Sequence, residues 1–438
     1  MLNIIWLGMV VVGIALGAVT GRLAGVGEAI VKNAETAVTL SIGLIGLMSL
    51  WLGMMRLAER SGLVLLLARA LKPLLRRLFP DVPTEHPAMG AMVMNIAANM
   101  LGLSNAATPM GLRAMQELQK LNPKPDTATN AMCTFLAINT SSVQLVPMTA
   151  IALMVAAGAS RPYSIIGTAL LATACSTIAG LIAVKWFERW PAFRLPVTER
   201  VPSNVETDSP KPLSVETERQ AGGLRWSILA LFLLVMVYAG LRMLSPEAEA
   251  IVGQTAAPDR SMLWRLVSTV SLLAVPFLVG FIPLYAWVRG LQVYEELVEG
   301  AKEGFQVAVR IIPYLVGMLV AIGIFRASGG LDLLARATAP ILAFIHFPTE
   351  LLPMALMRPL SGSGSMAILS DVIKTHGPDS LLAQTAATLY GSTETTFYVL
   401  AVYFGSISIR RTRHALMAGL IADGVGILAA VYICRWMQ

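Results

Sequence analysis

The sequence predicts an all-α polytopic membrane protein built from two inverted-topology repeats, with broken helices and re-entrant hairpins and about nine crossings. Three observations carry this reading. Of 438 residues, 56% are hydrophobic and only 13% charged, whereas soluble domains carry about 25% charged residues. An internal repeat relates the two ends of the chain. The loop charges of the two copies are biased in opposite senses.

Residues 1–26 supply a leading helix. Its apolar run lacks a preceding basic segment and a small-residue cleavage site, so the expectation is a retained membrane helix and not a signal peptide. Residues 27–190 form the first repeat, in which Thr39 to Met55 and Ile165 to Val184 approach the roughly 20 residues that span a bilayer. Residues 191–224 are a polar linker, because Arg194 to Gly223 is rich in Pro, Glu, Asp, Lys and Arg and has no long apolar run. Residues 225–290 hold two connecting helices, near Trp226 to Leu244 and Leu263 to Val288. Residues 291–438 are the second repeat, closing on the apolar run Ala415 to Ile433.

The repeat is legible residue by residue. Gly62-Leu63, Leu66-Leu67-Ala68-Arg69-Ala70, Pro73 and Phe79-Pro80 recur as Gly330-Leu331, Leu333-Leu334-Ala335-Arg336-Ala337, Pro340 and Phe347-Pro348, at a shift of 267 to 268 residues. Each copy is followed by a polar interruption, Asn95 to Thr108 or Arg358 to Ser365, and then by a second one, Asn139 to Ser142 or Gly391 to Thr396. Two unrelated apolar segments would not share both interruptions in order. Arg56, Arg60, Arg69, Lys72, Arg76 and Arg77 crowd the early loop of the first copy, where the second keeps Arg326 and Arg336. Late in the copies the bias reverses, with Arg161 alone against Arg410, Arg411 and Arg413. Because Lys and Arg are retained on the cytoplasmic side, the copies face opposite ways. The count places the N-terminus in the cytoplasm and the C-terminus outside, in a bacterial inner membrane. The segments Pro87 to Leu121 and Leu351 to Lys374 read as hairpins, or alternatively as two crossings each.

Several functions are disfavoured. The net charge of +7 resides in short loops beside apolar spans, which points to membrane orientation and away from nucleic acid. Cys133, Cys175 and Cys434 are far apart in apolar sequence, and the four histidines are scattered, so neither a disulfide framework nor a metal site is expected. No metalloprotease, nucleophile-elbow or dinucleotide motif stands out, so no enzyme and no cofactor is expected. Trp6, Trp51 and Trp226 read as interfacial anchors. The abundant methionines read as gap fillers.

Broken polar segments inside a membrane need a reason, because exposed backbone groups cost several kcal/mol in hydrocarbon unless they face protein or a wet cavity. Asn95 and Asn99 lie one helical turn apart on one face. Asn105, Thr108 and Pro109 fit a turn and a new helix start, whose free N–H groups and positive dipole end suit an anionic group. Interhelical hydrogen bonding is the competing reading of these amides. In the second copy Arg358 precedes Pro359 and the small-residue run of Ser361 and Ser363. A charge in a membrane segment costs at least roughly 2.5 to 3.5 kcal/mol, so it marks a cavity, a partner or a transport route. The later interruptions add Asn139, Thr140 and Ser141, and Ser392, Thr393, Glu394 and Thr395. Glu394 is the only acid in its apolar surroundings, a candidate partner of Arg358, a proton or cation site, or an acceptor for a ligand ammonium. Asp371 and Asp423 lie close to predicted helix ends, where solvation or capping is the simpler reading.

These segments resemble the spore maturation proteins A and B joined in one polypeptide. The A-like signature is Asn99 to Pro109 together with Asn139-Thr140-Ser141-Ser142. The B-like signature is Arg358 to Gly364 together with Gly391 to Tyr398. Each half also resembles the Gate, or nucleoside-recognition, module of concentrative nucleoside transporters and ferrous-iron permeases. That resemblance implies membrane transport without fixing substrate or energy source. No GTPase P-loop precedes the membrane region, which disfavours GTP-gated iron uptake.

The resulting expectation is a transporter of a small polar solute, such as a zwitterionic amino acid, bound between the two repeats. Membrane lipid and the solute are the expected partners, with a coupling ion or proton and an oligomeric assembly left open. The alternatives are a non-transporting scaffold or sensor for envelope or spore maturation, and a lipid translocator.

Overall fold

The computed structural model describes residues 2–102, 104–141, 143–193, 223–244 and 262–437. The polar stretch from Arg194 therefore lies outside the described residues until Gly223. Among the described residues the regular structure is helical, with one isolated bridge between Thr127 and Arg411.

The first part of the chain runs through α1 (Leu2–Val19), α2 (Leu23–Arg60), α3 (Leu63–Leu78), α4 (Pro87–Met100), α5 (Ser104–Lys120), α6 (Asn130–Ser141), α7 (Met148–Ala156) and α8 (Ile165–Phe187). The connecting helices are α9 (Gly223–Leu244) and α10 (Met262–Val288). The last part runs through α11 (Val293–Ala327), α12 (Gly330–Phe344), α13 (Leu352–Met357), α14 (Gly362–His376), α15 (Leu381–Ser392), α16 (Thr396–Ser406) and α17 (Ala415–Met437). From α2 to α8 and from α11 to α17 the order of elements is the same: a long helix, a short one, a helical hairpin, a broken helix and a closing helix.

Local sequence explains the shared order. Each long helix ends where the chain turns through a left-handed glycine, Gly62 at φ 79° and Gly329 at φ 85°, a conformation that costs other residues about 1 to 2 kcal/mol. α3 then lies with Leu63, Val64, Ala68 and Leu75 buried, while Arg76 and Arg77 close its last turn. α4 and α5 turn back on each other at Gly102, with φ 77°. At 1.5 Å per residue the 14 residues of α4 reach about 21 Å and the six of α13 about 9 Å, well short of the roughly 30 Å hydrocarbon core. Neither α4 nor α13 is long enough to cross alone.

α2 pairs with α11, and α8 with α17. Small residues make both seams close. A Cβ on Gly300 would lie 2.8 Å from the Gly53 Cα, and one on Gly304 would strike the backbone at Ser49. Near the other end of the seam, Gly323 faces Asn33, so the two helices run antiparallel. On the second seam Ser176 lies against Gly426 and donates to the Ala422 carbonyl, at 2.8 Å, while Gly180 lies against Ala422. That pair is antiparallel too. Arg56 closes one end of the first seam on Glu296, at 2.7 Å, and on Glu303, at 3.3 Å.

The chain is a multi-pass membrane protein. Among the described residues α2, α8, α9, α10 and α17 are long and apolar enough to cross a bilayer, and the end of α11 with the start of α12, bent by 72°, would add a sixth. This is fewer than the nine crossings expected. The shortfall has a physical source: α6 has 12 residues and α7 nine, α15 has 12 and α16 eleven, so neither member of either broken pair spans alone. The apolar run of α1 is likewise short, Trp6–Val19. α9 buries only Leu229 and exposes Leu231, Leu234, Val237 and Leu241, the all-round apolar surface of a lipid-facing helix.

Candidate functional site

The site begins at the interruption between α13 and α14. Pro359 has no N–H to continue α13, and Ser361 in extended conformation caps α14 by accepting the Gly364 N–H at 3.0 Å. Arg358 sits at this interruption and is 3% exposed. Its guanidinium donates to the Thr393 carbonyl, lies 4.7 Å over the Tyr390 ring and stands 3.9 Å from the Glu394 carboxylate. The Arg358 Nε–H is buried without a hydrogen-bond partner. The ion pair is therefore loose, and the cation retains an unused donor.

Four interruptions are stitched together by their backbones. The Glu394 N–H donates to the Thr140 carbonyl at 2.8 Å, the Phe397 N–H to the Pro359 carbonyl at 3.0 Å and the Leu145 N–H to the Met100 carbonyl at 3.0 Å. Groups that a continuous helix would satisfy internally are thus satisfied between elements, as a hydrocarbon environment requires.

A cavity of about 350 Å³ opens beside this crossing. Arg358, Glu394 and Tyr390 form one wall; Gly362 and Ser363 at the start of α14 and Met148 and Thr149 at the start of α7 bring two helix N-termini to it. Gln144 adds an amide, and Met48, Trp51 and Leu52 of α2 supply an apolar wall. Such a cavity can compensate a negative group at the helix ends and Arg358, and a positive one at Glu394.

Of the residues expected to bind solute, Arg358, Ser363 and Glu394 line this cavity. The Asn95 amide donates to the Ala107 carbonyl at 2.7 Å and to the Tyr403 hydroxyl at 3.2 Å, while the Asn99 amide donates to Asn139 Oδ1 at 2.9 Å. Asn139 in turn donates to the Phe135 carbonyl at 2.9 Å. These three amides tie α4, α5, α6 and α16 together and do not border the cavity. Thr140, Ser141 and Ser392 donate back to the carbonyls of Ala137, Ile138 and Leu389, sealing helix ends. Thr395 holds the N-cap position of α16 without a side-chain bond, and the Thr393 hydroxyl is buried without a partner. Thr108 lies on α5, away from the cavity lining. The side chain of Asn105 lies outside the described residues.

Two sequence readings change. Trp51 is 7% exposed and faces the cavity, so it is not an interfacial anchor; Trp6 and Trp226 are exposed. Asp423 is not near a helix end but well inside α17, where it is 1% exposed and accepts from the Thr396 hydroxyl at 2.6 Å. Asp371 is a buried residue of α14 paired with Arg326. Sequence reasoning missed Tyr390 and Trp51 as lining residues because aromatic residues in apolar helices carry no distinguishing pattern. Tyr390 had one usable signal, its position one helical turn before Glu394.

The Gate family, described as nucleoside recognition, matches residues 41–158 and 308–410, just over half of the chain in two separate stretches. The chain is 43% identical to spore maturation protein A of Bacillus subtilis (strain 168) over 187 residues, which are 43% of this chain and 95% of that protein. It is 44% identical to spore maturation protein B of the same organism over 169 residues, 39% of this chain and 95% of that protein. With the helical hairpins, the interrupted helices and these matches together, the chain belongs to the Gate, or nucleoside recognition, family of membrane proteins and to the spore maturation proteins A and B within it.

Proposed function

We propose that the protein transports a small polar solute, held in the cavity between Arg358, Glu394, Tyr390, Gln144 and the first turns of α7 and α14. The observation that carries this reading is Arg358 itself: a buried cation with an unused Nε–H, loosely paired, facing a cavity large enough for a small solute. A zwitterion such as an amino acid uses both charges, its carboxylate at Arg358 and the helix N-termini, its ammonium at Glu394. A nucleoside, suggested by the family's description, would stack on an aromatic wall but leave the charged pair without a role. A scaffold reading accounts for the Asn95, Asn99 and Asn139 cluster, which packs helices, but not for the cavity.

The antiparallel pairing of α2 with α11 and of α8 with α17 supports inverted repeats over 27–190 and 291–438, fused from an A-like and a B-like unit. Joining α6 with α7 and α15 with α16 as broken spans, and counting α1, restores nine crossings. The basic α3 then faces the cytoplasm of a bacterial inner membrane, with the N-terminus inside and the C-terminus outside.

The test is uptake into liposomes holding the purified protein, offered labelled amino acids, nucleosides and dicarboxylates. We expect accumulation of a zwitterion, reduced at least tenfold in Arg358→Ala and Glu394→Gln, since one charged hydrogen bond is worth about 1.5 to 3 kcal/mol. Uptake unaltered in both variants would remove the site from the account.

A further inference from the structure

Asp423 and the α15–α16 interruption carry an inference about what drives such a site. Asp423 is buried inside α17, at a depth where an unpaired charge is costly. Its Oδ2 accepts from Thr396, and its Oδ1 has no partner. On the interruption packed against the same stretch of α17, the Thr393 hydroxyl is also buried and unpartnered. Gly419 and Gly426, four residues before and three after Asp423, let the interruption seat itself there. A Cβ at Gly426 would lie 2.7 Å from Thr393 Cγ2, and one at Gly419 would lie 2.9 Å from Thr396 Cγ2. Buried polar oxygens without a hydrogen-bond partner call for an explanation, the more so inside a membrane helix.

Charge points to the proton. The interruption seated on Asp423 through Thr393 and Thr396 is the one that carries Glu394 and whose Thr393 carbonyl takes the Arg358 guanidinium, so one guanidinium and two carboxylates share it. The group is neutral when one carboxylate is protonated and carries one negative charge when none is. Among the described residues the other elements packed on this stretch bring no compensating cation: α8 presents Ser176, and α6 presents Thr140. The remaining titratable groups of those elements are Lys185, engaged by Glu188 at the end of α8, the exposed Cys175 and the buried Cys133. α15 and α16 add Tyr390, stacked with Arg358, Tyr403, which joins the Asn95 cluster, and the exposed Tyr398.

We propose that Asp423 is the proton-binding group of this site, taking a proton on Oδ1 from one side of the membrane and returning it to water on the other. The step is a bare proton transfer, in which the Oδ1–H bond forms and later breaks and nothing is oxidised or reduced. In the protonated state Thr396 continues to donate to Oδ2, and the new O–H takes its acceptor from the interruption packed against α17. In the ionised state the negative charge sits against the interruption whose Thr393 carbonyl holds Arg358, so proton release alters the hold of Arg358 on Glu394 and on any solute between them. Its role in coupling rests on the transport reading above; the protonation itself does not.

Infrared difference spectroscopy of the full-length protein in lipid, titrated with no solute added, tests the protonation. We expect a protonated-carboxyl band that grows as the pH falls and shifts when aspartate is labelled with ¹³C at its side-chain carboxyl. The band should persist in Asp371→Asn and vanish in Asp423→Asn. A band that is absent, unmoved by the aspartate label, or retained in Asp423→Asn would overturn the proposal. Should Asp423→Asn fail to fold, the label applied to Asp371→Asn decides alone: a shifted band supports Asp423 and an unshifted or absent one contradicts it. Uptake lost with the band present would sink the transport reading alone, and uptake present without the band would sink the proton site alone.

Discussion

Arg358 shows how a single residue organises the region. A guanidinium has five donors in a rigid fork, and here one end of the fork caps the Thr393 carbonyl left open by the end of α15, while the ring of Tyr390 supports its face. The asparagines do different work, their amides donating to the Ala107 and Phe135 carbonyls and, from Asn99, to Asn139. The two kinds of residue therefore separate in experiment. Asn95→Ala should lower thermal stability by about 0.6 to 1.7 kcal/mol, from the average to the largest value for interhelical hydrogen bonds in membranes, and leave solute affinity unchanged. Calorimetry in detergent with a binding isotherm checks both halves of that expectation. The meeting of Arg358 with Glu394 was legible in the chain, because two charges in apolar sequence need each other or water. The direction in which Asn95 and Asn99 point was not: an amide on a helix face reads identically whether it meets solute or a neighbouring carbonyl.

At the scale of elements, glycines set how closely the long helices approach. Gly304 on α11 has no room for a side chain against the Ser49 backbone, and backbone cannot move aside as a flexible side chain can. Gly304→Val should cost about 1 to 3 kcal/mol through forced separation of α2 and α11, whereas Gly405→Ala, in open space on α16, should be tolerated. Melting temperatures of the two variants make the comparison. The approach to α17 holds a second device. His414, just before that helix, is fully buried beside Phe187 and Phe193, and burial with Arg413 and Lys185 nearby holds its imidazole down at about 4, from an ordinary 6.5. Protonation therefore favours the unfolded chain: the contribution to stability is full above pH 6.5 and declines as the pH falls from 6.5 towards 4. His414→Phe should flatten that decline in a pH series of unfolding midpoints, and an equal decline in both proteins would contradict the assignment. The interrupted helices were legible, since Pro, Gly and Ser fall together in apolar runs. A count of long apolar helices alone gives fewer spans than the chain suggests, because a helix broken at its centre gives two pieces each too short to register.

For the whole molecule, two stretches matching one family pair their long helices and closing helices antiparallel, and their interruptions meet at one cavity. The recurring residues and the opposed loop charges can be read from the chain because both are local patterns. The cavity cannot, because its apolar wall comes from Trp51 and Met48 of α2, some 300 residues from Arg358 in sequence. Binding is the most direct measurement of the central claim, that this cavity receives a small charged solute. Melting temperatures of the wild type and of Arg358→Ala would be compared across a panel of amino acids, nucleosides and dicarboxylates. The account predicts that a zwitterion raises the wild-type melting temperature in a concentration-dependent way and leaves that of Arg358→Ala unchanged. Stabilisation of both proteins to the same extent, or of neither by any member of the panel, would contradict it.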